Sequence, residues 1–352
     1  MSLGADATRT KGLERTVRSL LEKLGVGAPS LTLPRERGRG LQVEAVGHRV
    51  VHGGTKFRSA VRVNDRVLKG IEALGEFAPL HNPVAAATIR AAQVALPGIP
   101  QVAAFDTAFH ATLSEEQYLY PVPWRWHREY GIRRFGFHGL SVEWSTRRAA
   151  ELLGRPAGEL GLVVAHLGSG CSATAVLGGR SVATSMGLTP MEGLMMGTRS
   201  GSIDPGILLY MWRTRRAGRQ ELETALDHES GLVGVSGRAV GMRELEKAAG
   251  DGNQRARLAI DMFVSRAAAG IAAIATALPR LDALVFTGGI GERSGSARSA
   301  IVRRLGPLGL GALAATDVRN DALISPPGSA VAVLRVEARE DAVIARQTAQ
   351  LL

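Results

Sequence analysis

The chain has 352 residues, which fits two domains better than one core, and its 45% hydrophobic and 21% charged residues make it globular. The net charge of +11 invites a polyanionic partner, but only five of the 43 basic residues are lysine, the arginines are spread along the chain, and aromatics make up 5%. That pattern argues against a nucleic-acid surface and for a solvated basic surface with room for one focused anionic-substrate site.

The opening residues, MSLGADATRTKGLERTV, lack the apolar core of a signal peptide, so a cytoplasmic location is expected. Leu13, Val17, Leu20, Leu21 and Leu24 form a helical stripe over residues 13–24, and residues 28–40, rich in Pro, Arg and Gly, read as a loop. Val43–Val51 is a strand candidate, ended by Gly53-Gly54. Arg49 lies inside this apolar strand, where a cation must be paired or point into a polar cleft. Residues 67–77 read as a helix stopped by Pro79, and Pro83–Leu96 as a second helix with proline at its start. His81, in the turn between them, either caps the turn or contacts a ligand. Pro100–Phe105 is a short apolar strand with Asp106 at its carboxyl end, where ligands sit in open α/β sheets. An aspartate there equally suits the cap of the following turn.

His138 precedes Gly139 in RRFGFHG, with a helix expected from near Ser141; a helix entrance suits an anion. Leu162–Leu167, Ser172–Leu177 and Arg180–Thr184 read as strands, joined by Gly168-Ser169-Gly170 and by the hairpin turn Gly178-Gly179. The first turn is either a phosphate nest of backbone amides or a plain hairpin. Cys171 is the only cysteine, which excludes an intrachain disulfide framework and a thiolate metal cluster.

Thr184–Gly206, TSMGLTPMEGLMMGTRSGSIDPG, has no sustained period and reads as ordered loop. Gly187, Gly193, Gly197, Gly201 and Gly206 permit unusual backbone or close approach, and Arg199 is the lone cation among them. Such a segment is a place to grip a phosphate or carboxylate. Residues 221–249 and 254–278 read as helical, with a small-residue loop, Gly231–Gly241. The apolar run Ala267–Leu278 is too short to span a bilayer and reads as a buried helix. Leu281–Phe286 is a buried strand, Thr287–Glu292 a glycine turn, and a helix is expected from about Ser294. Strand, glycine turn, helix is nucleotide-binding geometry, although neither the dinucleotide fingerprint nor a Walker loop is present. Val331–Val336 is a last strand and Glu340–Leu351 a closing helix.

Seven runs, VGHRVVHGG (46–54), FAPLHNP (77–83), FDTAFH (105–110), RRFGFHG (133–139), AHLGSG (165–170), TSMGLTPMEGLMMGTRSGSIDP (184–205) and VFTGGIGE (285–292), together resemble the acetate kinase family, in the superfamily of acetate and sugar kinases, Hsp70 and actin. The resemblance covers residues from about 40 to the end. It implies an α/β, two-domain actin-like (ribonuclease H-like) kinase fold, with the N-terminal domain truncated. On that fold, residues 1–108 plus 340–352 form the acyl-substrate side and residues 109–339 the nucleotide-binding domain. The implied reaction is reversible transfer of the ATP γ-phosphoryl group to acetate, giving acetyl phosphate and ADP.

The resemblance also implies roles, residue by residue. Arg49 and Arg199 hold the acyl carboxylate and the transferring phosphoryl. His138 hydrogen-bonds the phosphoryl, and Asp106 is the essential aspartate. Val51, Leu80, Phe137 and Pro190 surround the acetate methyl. His166, Leu167, Gly168, Ser169 and Gly170 form the phosphate turn. Gly289, Ile290, Gly291, Glu292 and Arg293 form the adenosine turn, with Arg243 as a further nucleotide contact, and Glu340 is the carboxylate on Mg²⁺ (or Mn²⁺). A homodimer is implied, with no nucleic-acid or membrane partner. A carboxylate acceptor is ionised at neutral pH and needs no general base; the site must relieve anion repulsion and stabilise charge on the phosphoryl oxygens. Asp106 is therefore expected to orient an arginine or a metal-bound water.

The chain departs from the family at its start, where a serine-rich loop of the form Asn-x-Gly-Ser-Ser-Ser-x-Lys is missing. The two explanations are a start lying upstream and a truncated gene copy. Either way, Val46–Val51 is expected to expose an apolar edge, and the chain alone to fold poorly and turn over little. Ser169 and Arg293 stand where the family has Asn, and Arg339 and Asp341 flank Glu340 in place of Asn and Glu. Alternatives are a propionate or butyrate kinase, an impaired homologue that keeps only nucleotide binding, and an interaction protein on an actin-like scaffold.

Overall fold

The computed structural model describes Gly12 and residues 43–352. The expected helix over 13–24 and loop over 28–40 lie outside the described residues. The chain divides into two compact units, Met1–Ala108 with Glu340–Leu352, and Phe109–Arg339.

The first unit holds a three-stranded sheet of order β1-β3-β2, with β1 Val46–Val50, β2 Val61–Arg62 and β3 Gln101–Phe105. The apolar run of β3 is buried at all five positions, so it takes the centre. β1 pairs with it in parallel, Arg49 opposite Ala104 and Val50 opposite Phe105. Two helices, α1 Asp65–Ala73 and α2 Asn82–Ala95, cover one face. Asn64 caps α1 by accepting from the Val67 amide at 2.9 Å. Asn82, fully buried, donates to the carbonyls of His52 and Ile71 and accepts from the His52 amide, which ties the exit of β1 to both helices. The core gathers Val50, Phe57, Ile71, Ile89 and Phe105, with the two phenyl rings stacked 4.7 Å apart. Burying each such side chain contributes roughly 1.5–3 kcal/mol. The closing helix, Glu340–Ala349, packs on β1, and Arg62 donates to the carbonyls of Leu351 and Leu352 beyond it. Among the described strands β1 is an edge, yet its apolar side chain Val50 is buried, so the apolar edge expected there carries no exposed core residue.

The second unit is built on a six-stranded sheet of order β6-β5-β4-β7-β9-β8. The strands are β4 Gly161–Leu167, β5 Cys171–Leu177, β6 Arg180–Thr184, β7 Ala283–Thr287, β8 Ala322–Leu323 and β9 Ala332–Arg335. The central strands β4, β7 and β9 are parallel, and β5, β6 and β8 add antiparallel edges. Register pairs His166 with Thr287, so the turns that follow β4 and β7 leave the sheet side by side. Before the sheet come α3 Glu115–Tyr118, α4 Trp124–Tyr130 and α5 Gly139–Leu153. The latter packs Val142 and Ala149 on Leu162, Val164 and Val285. After β6 come α6 Pro205–Arg215, α7 Arg219–Asp227, α8 Gly231–Ser236, α9 Met242–Gly250 and α10 Gln254–Ala275.

Two expectations are corrected. The stretch Gly231–Gly241 is not all loop, because α8 occupies its first half; its backbone is fixed by Leu232 and Val233 amides donating to Met196 and Gly197. The glycine turn expected after β7 is itself a short helix, α11 Gly288–Arg293, followed by α12 Gly295–Arg304. Three glycines make α11 a poor helix on propensity, but close packing of Gly291 on Ala165 and Leu167 holds it. The buried helix expected at Ala267–Leu278 is present as far as Ala275, the end of α10, which at 22 residues is long and apolar enough to cross a bilayer. Its Ala256, Ala259, Phe263, Ala267 and Ile271 are buried at helical spacing, and it packs on β4 and β5 as a core helix does.

Candidate active site

In the first unit, β1 carries Arg49 and β3 delivers Asp106 just past its last residue, where the Asp106 amide donates to Val50. The guanidinium donates Nε to Oδ1 at 3.0 Å and Nη2 to Oδ2 at 2.6 Å, a bidentate fork. Its third nitrogen faces Glu340 at 3.2 Å, at the start of the closing helix. Burial works to lower the Arg49 pKa, but Asp106 and then Glu340 outweigh it and raise it. Burial, Asp106 and Asp341 together raise the Glu340 carboxyl, although Arg49 pulls it down. Two carboxylates thus share one cation. Asp106 spends both oxygens on Arg49.

Beside Arg49 lies a cavity of about 420 Å³ lined by Val51, Leu80, His81, Val84 and Thr88, among others. It brings together two of the four residues expected around the acyl methyl. Phe137 and Pro190 belong to the second unit, where Phe137 is buried and the Pro190 carbonyl accepts from Arg199 at 2.6 Å. His81 stands at the α2 N-cap without a side-chain cap bond and lines the cavity instead.

In the second unit, His138 sits at the N-cap of α5 with φ +59°, left-handed backbone that a side chain rarely adopts. Its Nδ1 shares a hydrogen bond with Ser172 Oγ at 3.0 Å, and its ring stacks on His166 at 4.0 Å. His166 in turn shares a bond with Ser141 Oγ at 2.8 Å. A Cβ on Gly170 would lie 3.3 Å from His138 Nε2 and 3.5 Å from Arg199 Nη2, so the glycine is what lets a histidine and a guanidinium close over the same turn. The Gly168 amide donates back to Gly170 at 3.0 Å, so it is spent inside the turn and the nest has one amide fewer than expected. Burial lowers the Arg199 pKa, partly offset by Asp227. Asp204 caps α6 through the Gly206 amide at 2.8 Å.

Sequence reading missed the residues that hold the Arg199 loop. Arg134 donates to the carbonyls of Ser185 and Met186 at 2.9 and 3.0 Å and to Glu192 at 2.7 Å, and Tyr120 donates to Glu192. Ser141 and Ser172, which aim the two histidines, were also missed; no motif marks a serine as a histidine partner. Arg243, Glu292 and Arg293 line one cavity of about 640 Å³ beyond the α11 turn. Gly289, Ile290 and Gly291 lie in α11 itself, with Gly291 next to Leu167 and Gly289 next to Gly168 of the turn after β4.

A sheet whose parallel central strands end in adjoining glycine turns, with an arginine and a histidine over one of them, defines an actin-like α/β phosphotransferase. The chain belongs to the acetokinase family, whose model matches residues 24–346. It is 50% identical to an acetate kinase of Deinococcus radiodurans over 88% of this chain and 79% of that protein. It is 47% identical to a propionate kinase of Citrobacter rodentium over 92% of this chain and 82% of that one. The structure of Porphyromonas gingivalis acetate kinase superposes with a TM-score of 0.82 at 38% identity, over 88% of this chain and 78% of that chain.

Proposed function

We propose that the protein transfers the γ-phosphoryl group of ATP to acetate, reversibly, giving acetyl phosphate and ADP. The observation that carries this reading is the meeting of His138 Nε2 and Arg199 Nη2 over Gly170, which brings an imidazole and a guanidinium to one glycine turn. The acetate carboxylate attacks phosphorus while its own charge is matched by Arg49. Asp106 fixes that guanidinium and removes no proton. The acyl chain lies against Val51 and Leu80, with Phe137 and Pro190 as the remaining methyl contacts. The phosphates run along His166–Gly170, and the adenosine lies at Gly289–Arg293 with Arg243.

Among the described residues no three His, Cys, Asp or Glu side chains form a metal cage. Mg²⁺ needs none, because it takes one or two carboxylates and completes its shell with substrate phosphates and water. Glu340 offers a hard oxygen donor for such a cation; burial first, then Asp106 and Asp341, raise its carboxyl. When bound, Mg²⁺ or Mn²⁺ shields the charge of the transferring phosphoryl. A homodimer belongs to the same proposal. Helix α6 has no buried residue, and Ile207, Leu209, Tyr210 and Trp212 are exposed along it, a surface suited to a second copy.

Hydroxamate trapping of the acyl phosphate, with acetate, propionate and butyrate in parallel, tests the reading. Acetate is expected to give the highest kcat/KM. A product with none of the three acids, from protein that still binds ATP, sinks the kinase assignment; a larger kcat/KM with propionate moves the acceptor.

A further inference from the structure

The 640 Å³ cavity beyond α11 carries more positive charge than a nucleoside needs. Five arginines line it, Arg243, Arg293, Arg298, Arg319 and Arg335, against the two acids Glu292 and Asp317. Arg243, Arg293 and Arg319 stand at its exposed rim and make no hydrogen bond or ion pair with any described residue. Arg335 forms the floor and is held by Asp321 at 3.4 Å and Glu292 at 3.8 Å. Arg298 is buried beneath it. Its nitrogens donate to the carbonyls of Gly291, Glu292 and Thr316, while Nε has no partner. Burial lowers the Arg298 pKa, and the adjacent Arg335 lowers it further. Asp317 partly offsets this, and Asp321 and Glu292 match Arg335, so the unmatched positive charge lies at the rim, on Arg243, Arg293 and Arg319.

A second feature points the same way. The cavity wall includes Gly295 and Ser296, the first two residues of the ten-residue helix α12. Backbone amides and the helix dipole there favour an anion. Ser294 caps the Ala297 amide, and the hydroxyls of Ser294 and Ser296 donate to Glu246, so one carboxylate stands behind this wall. With Asp321 and Glu246 counted, four carboxylates face the five guanidiniums, and the three rim arginines remain without a paired acid. A neutral base does not balance this charge, whereas a phosphate dianion with forked guanidinium partners does.

We propose that this cavity is a phosphomonoester site, formed by Arg243, Arg293 and Arg319 at the N-terminus of α12 and separate from the turn at Gly168–Gly170. The dianion comes either as free inorganic phosphate or as a phosphate on the ribose of a nucleotide. The second source rests on the nucleotide reading above; the first does not.

The test titrates the full chain by calorimetry, at fixed ionic strength, with inorganic phosphate, AMP, adenosine 2′,5′-bisphosphate and adenosine 3′,5′-bisphosphate. The same titrations are run on Arg319→Glu and on Arg219→Glu, a surface charge reversal on α7. Either phosphate binds on its own, or one bisphosphate binds at least tenfold tighter than AMP. In Arg319→Glu that binding or that advantage falls at least tenfold, while AMP affinity and the KM for ATP stay within twofold. In Arg219→Glu both persist. Bisphosphates no tighter than AMP, together with no Arg319-dependent phosphate binding, overturn the site. Equal losses in the two variants also overturn it, because the effect is then net charge alone. If AMP and ATP fail to bind at all, the nucleotide reading falls and the inorganic phosphate titration decides this one by itself.

Discussion

Replacing Asp106 with Asn isolates the step on which the acceptor side depends. The wild-type carboxylate takes two guanidinium hydrogens at 3.0 and 2.6 Å and is 1% exposed, so water does not substitute for it. Asparagine keeps one acceptor oxygen and turns an amide NH₂ toward the other guanidinium nitrogen, so one charge-assisted bond is lost. Such a bond is worth about 1.5–3 kcal/mol. Arg49 retains Glu340 at 3.2 Å and is 41% exposed, so the fold survives and the guanidinium swings rather than being expelled. At about 1.4 kcal/mol per tenfold, kcat should fall roughly ten- to a hundredfold. The nucleotide contacts are made by other residues, so the KM for ATP should move less than about twofold. Initial rates from hydroxamate trapping, over a grid of ATP and acetate, separate the two constants, and a thermal melt confirms folding. A loss of ATP affinity as large as the loss of kcat, or a wild-type kcat, would refute the orienting role of Asp106.

Three further outcomes follow. Cys171 is fully buried beside the phosphate turn, and burial pushes its thiol up to about 12, so native protein should resist iodoacetamide at pH 8 and label only on unfolding; rapid native labelling contradicts this packing. The Glu340 carboxyl is raised, so between the ordinary glutamate value and its folded value the native state holds a proton that the unfolded chain has lost. Its contribution to stability must then decline as pH rises through that window, and without divalent cation the urea midpoint of wild type should drop relative to Glu340→Gln from pH 5 to 7; a flat or rising difference removes the assigned shift. Trp212, 67% exposed on α6, should on replacement by Glu weaken the dimer by about a hundredfold without changing the melt of the monomer, while a monomeric wild type in light scattering ends the α6 interface.

The parts of this molecule legible in its sequence are those whose signal is local. Gly168–Gly170 and Gly178–Gly179 punctuate three strands, with β4 before the first turn, β5 between the two and β6 after the second. Arg49 betrays itself because a cation in an apolar strand needs a reason. Its partners do not: Asp106 and Glu340 are brought to it by strand order and by the closing helix, and no window of the sequence holds all three. The same limit hid Arg134 and Tyr120, which hold the Arg199 loop from a segment more than fifty residues away. Helices α8 and α11 were hidden for another reason. Their glycines and small residues argue against helix on propensity, and tertiary packing overrides a weak local preference. Helix α6, on which the sequence carried no reading, buries none of its apolar residues Ile207–Trp212.

The charge balance at Arg49 bears on why this arrangement suits an acceptor that is itself an anion. One guanidinium faces two carboxylates, so the cluster is negative before any substrate arrives. Acetate approaching it meets repulsion unless further positive charge enters with the nucleotide. On the proposed reading, a divalent cation carried on the ATP phosphates would supply that charge. Acetate should therefore bind weakly to the nucleotide-free protein and at least tenfold more tightly once an ATP analogue and Mg²⁺ are present. Glu340→Gln removes one of the two negative charges, so it should narrow that gap by strengthening binding to the free protein. Acetate affinity independent of the metal–nucleotide complex, in wild type and variant alike, would show that Arg49 meets its substrate already neutralised and that the two carboxylates serve the fold alone.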